Sequence, residues 1–595
     1  MILECEFTLS RLLSYARQLT LNNFQQYTDH CGNHTMKQVL TLFKTLPILS
    51  FIILSLSSGI TPAVAEQPKL IVQLTVDQLR GDLLHRYQKH FVNQRNRKGF
   101  NRFLEQGLTY TNTHYRHAAT LTAVGHATLA TGATPSQHGI IANNWFDPVN
   151  AAKMYCVADQ SVTLLGDEGY AASPANLTAA TFSDQLHMGS NGKSKIFGVS
   201  IKDRGAVLLA GHFGKAFWFN KKTGNFVSSS YYYDNLPEWA VDFNQSDAKT
   251  RFLGKEWRLS KNQDDYINDA SNRIFQIPPK GFNRGFPHVM PKLTNDVYFR
   301  MIASSPFGDE MTLNFAKTVI EQQELGKDEI TDYLSISFSI NDYLGHAYGP
   351  HSIEAEDGLI KLDSMLAEFF YYLDKRIGLE KVLLVISADH GVDAIPEYKK
   401  SIGFAGLRKD MNIPIRSAAQ AVLTELKPDS DPNQEINALK AIETPNIYFD
   451  HTVLNQIGIS ADAFADKLAH KLQNIEGIAY AFASQRIKHS DSSRDPILAR
   501  VYNNFVQDRS GDIVIVQAPS TMMGNYTAAT HGSPYRYDTH VPMHFAGWRI
   551  KPQQIERPTS PEDLAVTLSS IMHLTAPDRA TGQVLPEVVS AVRQH

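Results

Sequence analysis

Cysteine is almost absent from this sequence, with three in 595 residues. Cys5 and Cys31 fall within the first 35 residues, and beyond them only Cys156 remains. One thiol cannot form an intramolecular disulfide, nor can it build a thiolate metal site. Any bound metal must therefore be held by histidine and carboxylate ligands. A charge excess is missing as well: 57 Lys and Arg face 60 Asp and Glu, a net charge of -3. That balance offers no electrostatic footprint for nucleic acid and implies no such partner. Internal repeats and low-complexity tracts are absent. Gly192-Lys193-Ser194 ends like a P-loop, but position 187, where the first glycine belongs, is His187. That excludes this nucleotide-binding motif.

Long apolar runs are also lacking. The best, Leu46–Leu56, contains Pro47 and is too short to span a bilayer. It sits in MKQVLTLFKTLPILSFIILSLSSGITPAVAEQ, with Lys37 and Lys44 ahead of it and Ala63-Val64-Ala65 before Glu66. Basic, apolar and small-residue regions in that order read as a secretory signal peptide over 36–65. Residues 1–35 then read as an over-extended translation start, with Met36 the initiator. The expectation is a chain of residues 66–595, secreted without a stable membrane anchor, and monomeric.

What is present is an ordinary globular composition, 43% apolar and 20% charged, with 22 histidines, several beside aspartates. The apolar runs 69–76, 195–200, 333–340 and 381–388 read as buried strands, and 512–516 and 541–545 as later ones. Residues 82–106 and 352–377 read as helices, the second from Leu362, Leu366, Phe369 and Leu373 at helical spacing. Residues 450–480 read as a strand-and-helix unit. Strands alternating with helices predict an α/β fold, a largely parallel sheet sandwiched by helices. Between about 145 and 325 the alternation breaks, and aromatic, Gly and Pro residues accumulate. Much of that stretch is expected to be a cap inserted over the core.

Ligands in such sheets collect beyond the carboxyl ends of the strands. Asp77, Asp342 and Asp389 all follow apolar runs there. His346 lies four residues after Asp342, His390 is adjacent to Asp389, and His531 sits in Thr530-His531-Gly532-Ser533-Pro534. Thr122 opens the small-residue run Thr122–Thr128, where it either caps a helix or presents its hydroxyl at the positive end of the dipole. Three carboxylates on one rim repel one another and raise their pKa values unless cations bind them. A His/Asp set without thiolate suits zinc, and two ions roughly 4 Å apart can clamp the oxygens of an in-line displacement.

The ordered set resembles the alkaline phosphatase superfamily, and within it the PafA-like single-chain periplasmic enzymes, over essentially all of 66–595. The resemblance implies one zinc on Asp77, Asp389, His390 and the Thr122 oxygen, and a second on Asp342, His346 and His531. It implies Thr122 as nucleophile, Asn143 as a phosphate contact, and Lys202 and Arg204 on the nonbridging phosphoryl oxygens. The Lys-x-Arg pair favours dianionic phosphate monoesters as small-molecule substrates. The alternative is a phosphodiesterase or nucleotide pyrophosphatase on the same scaffold. His540, nine residues beyond His531, stays open as the last ligand. His126 and His138 read as supporting residues. No Cys/Ser-x-Pro-x-Arg setting surrounds Thr122 or Cys156, which argues against a sulfatase.

Overall fold

The computed structural model describes residues 67–268, 273–428 and 436–593. The expected translation overrun and signal peptide therefore lie outside the described residues. The central sheet has ten strands: β1 (Leu70–Val76), β2 (Leu108–His114), β3 (Leu164–Leu165), β4 (Ile196–Ser200), β5 (Lys215–Phe219), β6 (Phe226–Ser229), β7 (Asp332–Phe338), β8 (Val382–Ser387), β9 (His540–Gly547) and β10 (Gln553–Ile555). Their spatial order is β10-β2-β9-β8-β1-β7-β4-β5-β6-β3. The run β8-β1-β7-β4-β5 is parallel throughout, while β9 and β6 run the other way.

Continuous apolar runs form the middle of this sheet because both of its faces are covered. Every residue of β1, β7 and β8 is buried. Alternate side chains feed two separate cores. Leu70, Val72, Leu74 and Val76 point into one, and Ile71 joins Leu383 and Val385 in the other. Each such buried aliphatic contributes about 1.5–3 kcal/mol. Four helices matter to the site: α1 (Thr122–Thr131), α2 (Asp203–Ala210), α3 (Ile340–Tyr348) and α4 (Ile353–Arg376). Leu362, Leu366, Phe369 and Leu373 of α4 pack into the first core, as their spacing predicts.

Two expectations need redrawing. Residues 82–106 are not one helix: a short helix at Leu83–Tyr87 and another at Asn101–Gln106 flank a hairpin, Asn93–Gln94 with Arg97–Lys98. Buried Asp363 of α4 holds the hairpin, accepting the N–H groups of Val92 and Phe100 at 2.6 Å each, which a continuous helix would have kept for itself. Within 145–325, the core strand expected at 195–200 is present as β4, and β3, β5 and β6 extend the central sheet beside it, so less of that stretch lies outside the sheet than expected. A distinct unit comes later instead. Leu439–Glu443, Asn446–Phe449, Ile513–Gln517 and Ile478–Ala483 form a separate antiparallel sheet. Ile415, Leu454, Phe464 and Leu468 pack against it in their own core. In 450–480 two helices precede a strand.

Candidate active site

The strand ends set the rim. Thr75 pairs with Ser337 on one side and Ser387 on the other, and Ser337 pairs with Ser200. The four strands therefore finish level, delivering Asp77, Asp342, Asp389-His390 and Lys202 to one place. α1 supplies Thr122. Its N-cap is Leu121, in extended conformation, and no side chain caps it. Thr122 is the first helical residue and its hydroxyl is not used for capping. That hydroxyl instead lies 3.4 Å from Lys202 Nζ, 3.4 Å from Arg204 Nη2 and 3.5 Å from His390 Nε2. Asn143 Oδ1 accepts the Ala123 N–H at 2.9 Å, satisfying one of the free amides of the first turn. From the second sheet's unit, Asn504 accepts the Ala119 N–H and donates to the Ile141 carbonyl, holding both flanks of α1.

The three histidines share one orientation. Each Nδ1 meets a backbone carbonyl: Ala529 for His346 at 2.8 Å, Gly391 for His390 at 3.0 Å, and Thr120 for His531 at 2.8 Å. A carbonyl only accepts, so Nδ1 carries a proton and Nε2 is the nitrogen that the neutral ring offers to a ligand. All three Nε2 atoms face carboxylates: His346 and His531 approach Asp342 Oδ1 at 3.3 and 3.6 Å, and His390 approaches Asp77 Oδ1 at 3.5 Å. This backbone-anchored tautomer is that of a metal-ligating histidine. Asp77, Asp389 and His390 form one group whose ligand atoms lie within 4.8 Å of one another, and Asp342, His390 and His531 form another. His346 joins the second through its contact with Asp342. Buried Asp77 Oδ1 and Asp389 Oδ2 have no hydrogen-bond donor, an orphaned state that a cation resolves. The residues fit a metal.

Electrostatics point the same way. Burial, then the charges of Asp342 and Asp389, push the Asp77 carboxyl well above its ordinary range. Burial also works against ionised Asp342, but His346 and Lys202 overcome it and hold that carboxyl well below the usual range. Burial lowers His390 to about 3, keeping the imidazole neutral as a ligand must be. Lys202 Nζ bridges Asp77 Oδ2 and Asp342 Oδ2 at 2.6 Å each. One ammonium among three buried carboxylates leaves the rim short of positive charge.

His540 stands outside this site. Its Nε2 meets the Thr111 carbonyl at 3.0 Å and its ring stacks on His114. His126 supports the site from behind, with Nδ1 2.8 Å from the Thr122 carbonyl and 3.3 Å from Asp389 Oδ2. His138 bonds to Thr128 and to the Ile140 N–H, within the α1 surroundings.

Sequence reasoning missed Gln78. Its backbone is left-handed, φ 65°, and its side chain is buried. The N–H donates to Asp389 Oδ1 at 3.0 Å and Nε2 donates to Asp342 Oδ1 at 2.8 Å, so one residue orients a carboxylate of each group. Glycines make the room. A methyl on Gly345 would overlap Gln78 Oε1, and one on Gly125 would overlap the Asp389 carbonyl oxygen. Gly125→Ala is expected to lower stability by about 1–3 kcal/mol through overpacking. Activity should fall further than stability does, because the displaced backbone carries Asp389. Thermal unfolding and kcat/KM on one preparation test this.

The fold and its buried Asp/His/Thr rim define a metallohydrolase of the type I phosphodiesterase / nucleotide pyrophosphatase family, whose model matches residues 71–540. The chain is 33% identical over 536 residues to alkaline phosphatase PafA of Elizabethkingia meningoseptica, covering 88% of this chain and 95% of the relative. It is 34% identical over 543 residues to alkaline phosphatase PhoV of Synechococcus elongatus, covering 89% and 94%. The crystal structure of wild-type PafA superimposes with a TM-score of 0.81 at 32% identity, over 88% of this chain and 99% of that one. The chain belongs to the PafA-like alkaline phosphatases. Among the described residues no helix is long and apolar enough to cross a membrane.

Proposed function

We propose that this enzyme hydrolyses small-molecule phosphate monoesters through a phosphothreonine at Thr122, at a site holding two zinc ions, after export to the periplasm. The observation that carries the reading is the Thr122 hydroxyl at 3.4 Å from both the Lys202 ammonium and the Arg204 guanidinium. A nucleophile flanked by two cations meets a doubly charged phosphoryl group without charge repulsion.

Asp77, Asp389 and His390 with the Thr122 oxygen would hold one ion, and Asp342, His346 and His531 the other. Bound zinc supplies positive charge that stabilises an ionised threonine and a departing oxygen. The chain's own groups do the rest. Thr122, fixed at the first position of α1, places Oγ1 for in-line attack, forming Oγ1–P as the bond from phosphorus to the leaving alcohol breaks. Lys202 and Arg204 hold nonbridging oxygens, with Arg204 steadied by the Tyr155 hydroxyl at 3.1 Å. Asn143, tied to α1 through Oδ1, offers Nδ2 to a phosphoryl oxygen. Water then displaces Thr122 from phosphorus, releasing phosphate. Two inversions give net retention at phosphorus.

The second reading, a phosphodiesterase, draws support from the matched family's description. One comparison separates them: kcat/KM for p-nitrophenyl phosphate against bis-p-nitrophenyl phosphate, in wild type and in Lys202→Ala/Arg204→Ala. A large monoester preference that collapses in the double variant is expected. Each charge-assisted contact is worth about 1.5–3 kcal/mol, so the loss on monoesters should reach roughly two to four orders of magnitude. A diester preference in wild type overturns the monoester reading.

A further inference from the structure

Beside the phosphoryl-facing pair lies a cavity of about 300 Å³. Buried Lys202 and half-buried Arg204 line it together with half-buried Lys221 and with Lys222 and Arg300, both exposed. Two acids also line it, Glu168 and Asp203. Asp203 is already committed: its carboxylate accepts the Tyr155 hydroxyl at 2.5 Å, the Tyr170 hydroxyl and the Arg204 N–H at 2.7 Å. A single phosphoryl group at Thr122 uses Lys202 and Arg204. The other three cations have no role in that step.

Lys221 is held in place by the fold. Tyr343, the residue after Asp342 in α3, lies between the two lysines. Lys202 Nζ is 5.1 Å from its ring centroid, and Lys221 Nζ is 4.3 Å from the centroid and bonded to the phenol oxygen. The Lys221-Lys222 turn leaves the end of β5 in fixed geometry. Asn220 Oδ1 accepts the Lys222 N–H at 2.9 Å, its Nδ2 reaches Asp167, and the turn closes onto Asn225. Arg300 is exposed, 3.7 Å from Asp296. Cations gathered along one cavity wall produce a positive field that favours an anion there.

We infer that this cavity is a second-anion subsite, selecting phosphate monoesters whose organic part carries another phosphate. The inference rests on the phosphatase reading and names the substrate class within it. A bisphosphate would place one phosphoryl group at Thr122 and the other on Lys221 and Lys222. The aromatic wall, Trp218 and Phe219 with Tyr343, would line the linker between them.

The test compares α,ω-alkanediol monophosphates with the matching bisphosphates, two to six carbons long, at low ionic strength. Two equivalent ends alone give the bisphosphate about a twofold advantage. Charge-assisted contacts to the second phosphate should raise kcat/KM at the best length by about tenfold or more beyond it. Lys221→Ala/Lys222→Ala should return the ratio to about two while leaving kcat/KM on the monophosphates within about threefold of wild type. A ratio near two at every length in wild type, or a preference that survives in the double variant, overturns the subsite. Calorimetric binding of propane-1,3-bisphosphonate against propylphosphonate gives a readout independent of turnover. If wild type turns over no monophosphate, the phosphatase reading fails. The bisphosphonate preference and its loss in the double variant still decide the subsite.

Discussion

Thr122→Ala should cut kcat/KM for p-nitrophenyl phosphate by roughly a thousandfold or more while leaving the melting temperature almost unchanged. The second half of that result carries as much information as the first. A threonine at the start of a helix is ordinarily a cap, and removing a cap costs about 1 kcal/mol of stability. Here Leu121 is the N-cap, and the Thr122 hydroxyl accepts no backbone N–H of α1. Its neighbours are Lys202, Arg204 and His390. A capping role thus predicts lost stability with retained activity, and a nucleophilic role the reverse. Thr122→Ser keeps the hydroxyl and should retain far more turnover than the alanine variant. A phosphoryl group found on the peptide containing residue 122, in wild type and Thr122→Ser but not in Thr122→Ala, identifies the covalent step. Activity in the alanine variant near that of wild type would remove Thr122 from the mechanism.

The rim was legible in the sequence for a physical reason. Parallel strands covered on both faces have to be apolar along their whole length, so 70–76, 332–338 and 382–387 declare both the strands and their ends. Aspartates just past those ends then share one edge of the sheet, whichever helices intervene. Histidine orientation was not legible: His346 and His531 depend on the carbonyls of Ala529 and Thr120, 183 and 411 positions away, and His390 on the turn that brings the neighbouring Gly391 carbonyl back to its ring. Gln78 was invisible for a different cause. Nothing in Val76-Asp77-Gln78 signals a left-handed residue, and its bonds run to Asp389 and Asp342, 311 and 264 positions away. The hairpin inside 82–106 was lost because the buried carboxylate that holds it, Asp363, belongs to α4. The basic cavity was hidden too: a Lys-Lys turn reads as solvated until Tyr343, 122 residues later, is found against it.

Metal removal is the other large effect, and it distinguishes His531 from His540. Wild-type protein should carry two equivalents of zinc by elemental analysis, and chelation should take turnover to background. Chelation should also lower the melting temperature. A ligand present at a thousand times its Kd stabilises the fold by about 4 kcal/mol, and that contribution disappears with the ion. The carboxylates make the loss structural as well as catalytic, since Asp77, Asp342 and Asp389 are all buried and the Lys202 ammonium pairs with only the first two. His531→Ala should lose one equivalent and roughly two orders of magnitude or more of kcat/KM. His540→Ala should retain both equivalents and most of the activity. Its ring is engaged by the Thr111 carbonyl and by His114, so its loss should appear as a modest drop in stability. The opposite pattern, metal lost on removing His540 and kept on removing His531, would transfer the last ligand to His540. That would require the loop from Thr530 to Val541 to close differently from its present path. His531 Nδ1 on the Thr120 carbonyl and the Gly391 N–H on the Asp538 carbonyl tie that loop to the α1 approach and to the Asp389 turn. The first of these bonds aims the His531 Nε2 at Asp342, and for that reason the histidine in the buried turn, rather than the one at the start of β9, is expected to hold the ion.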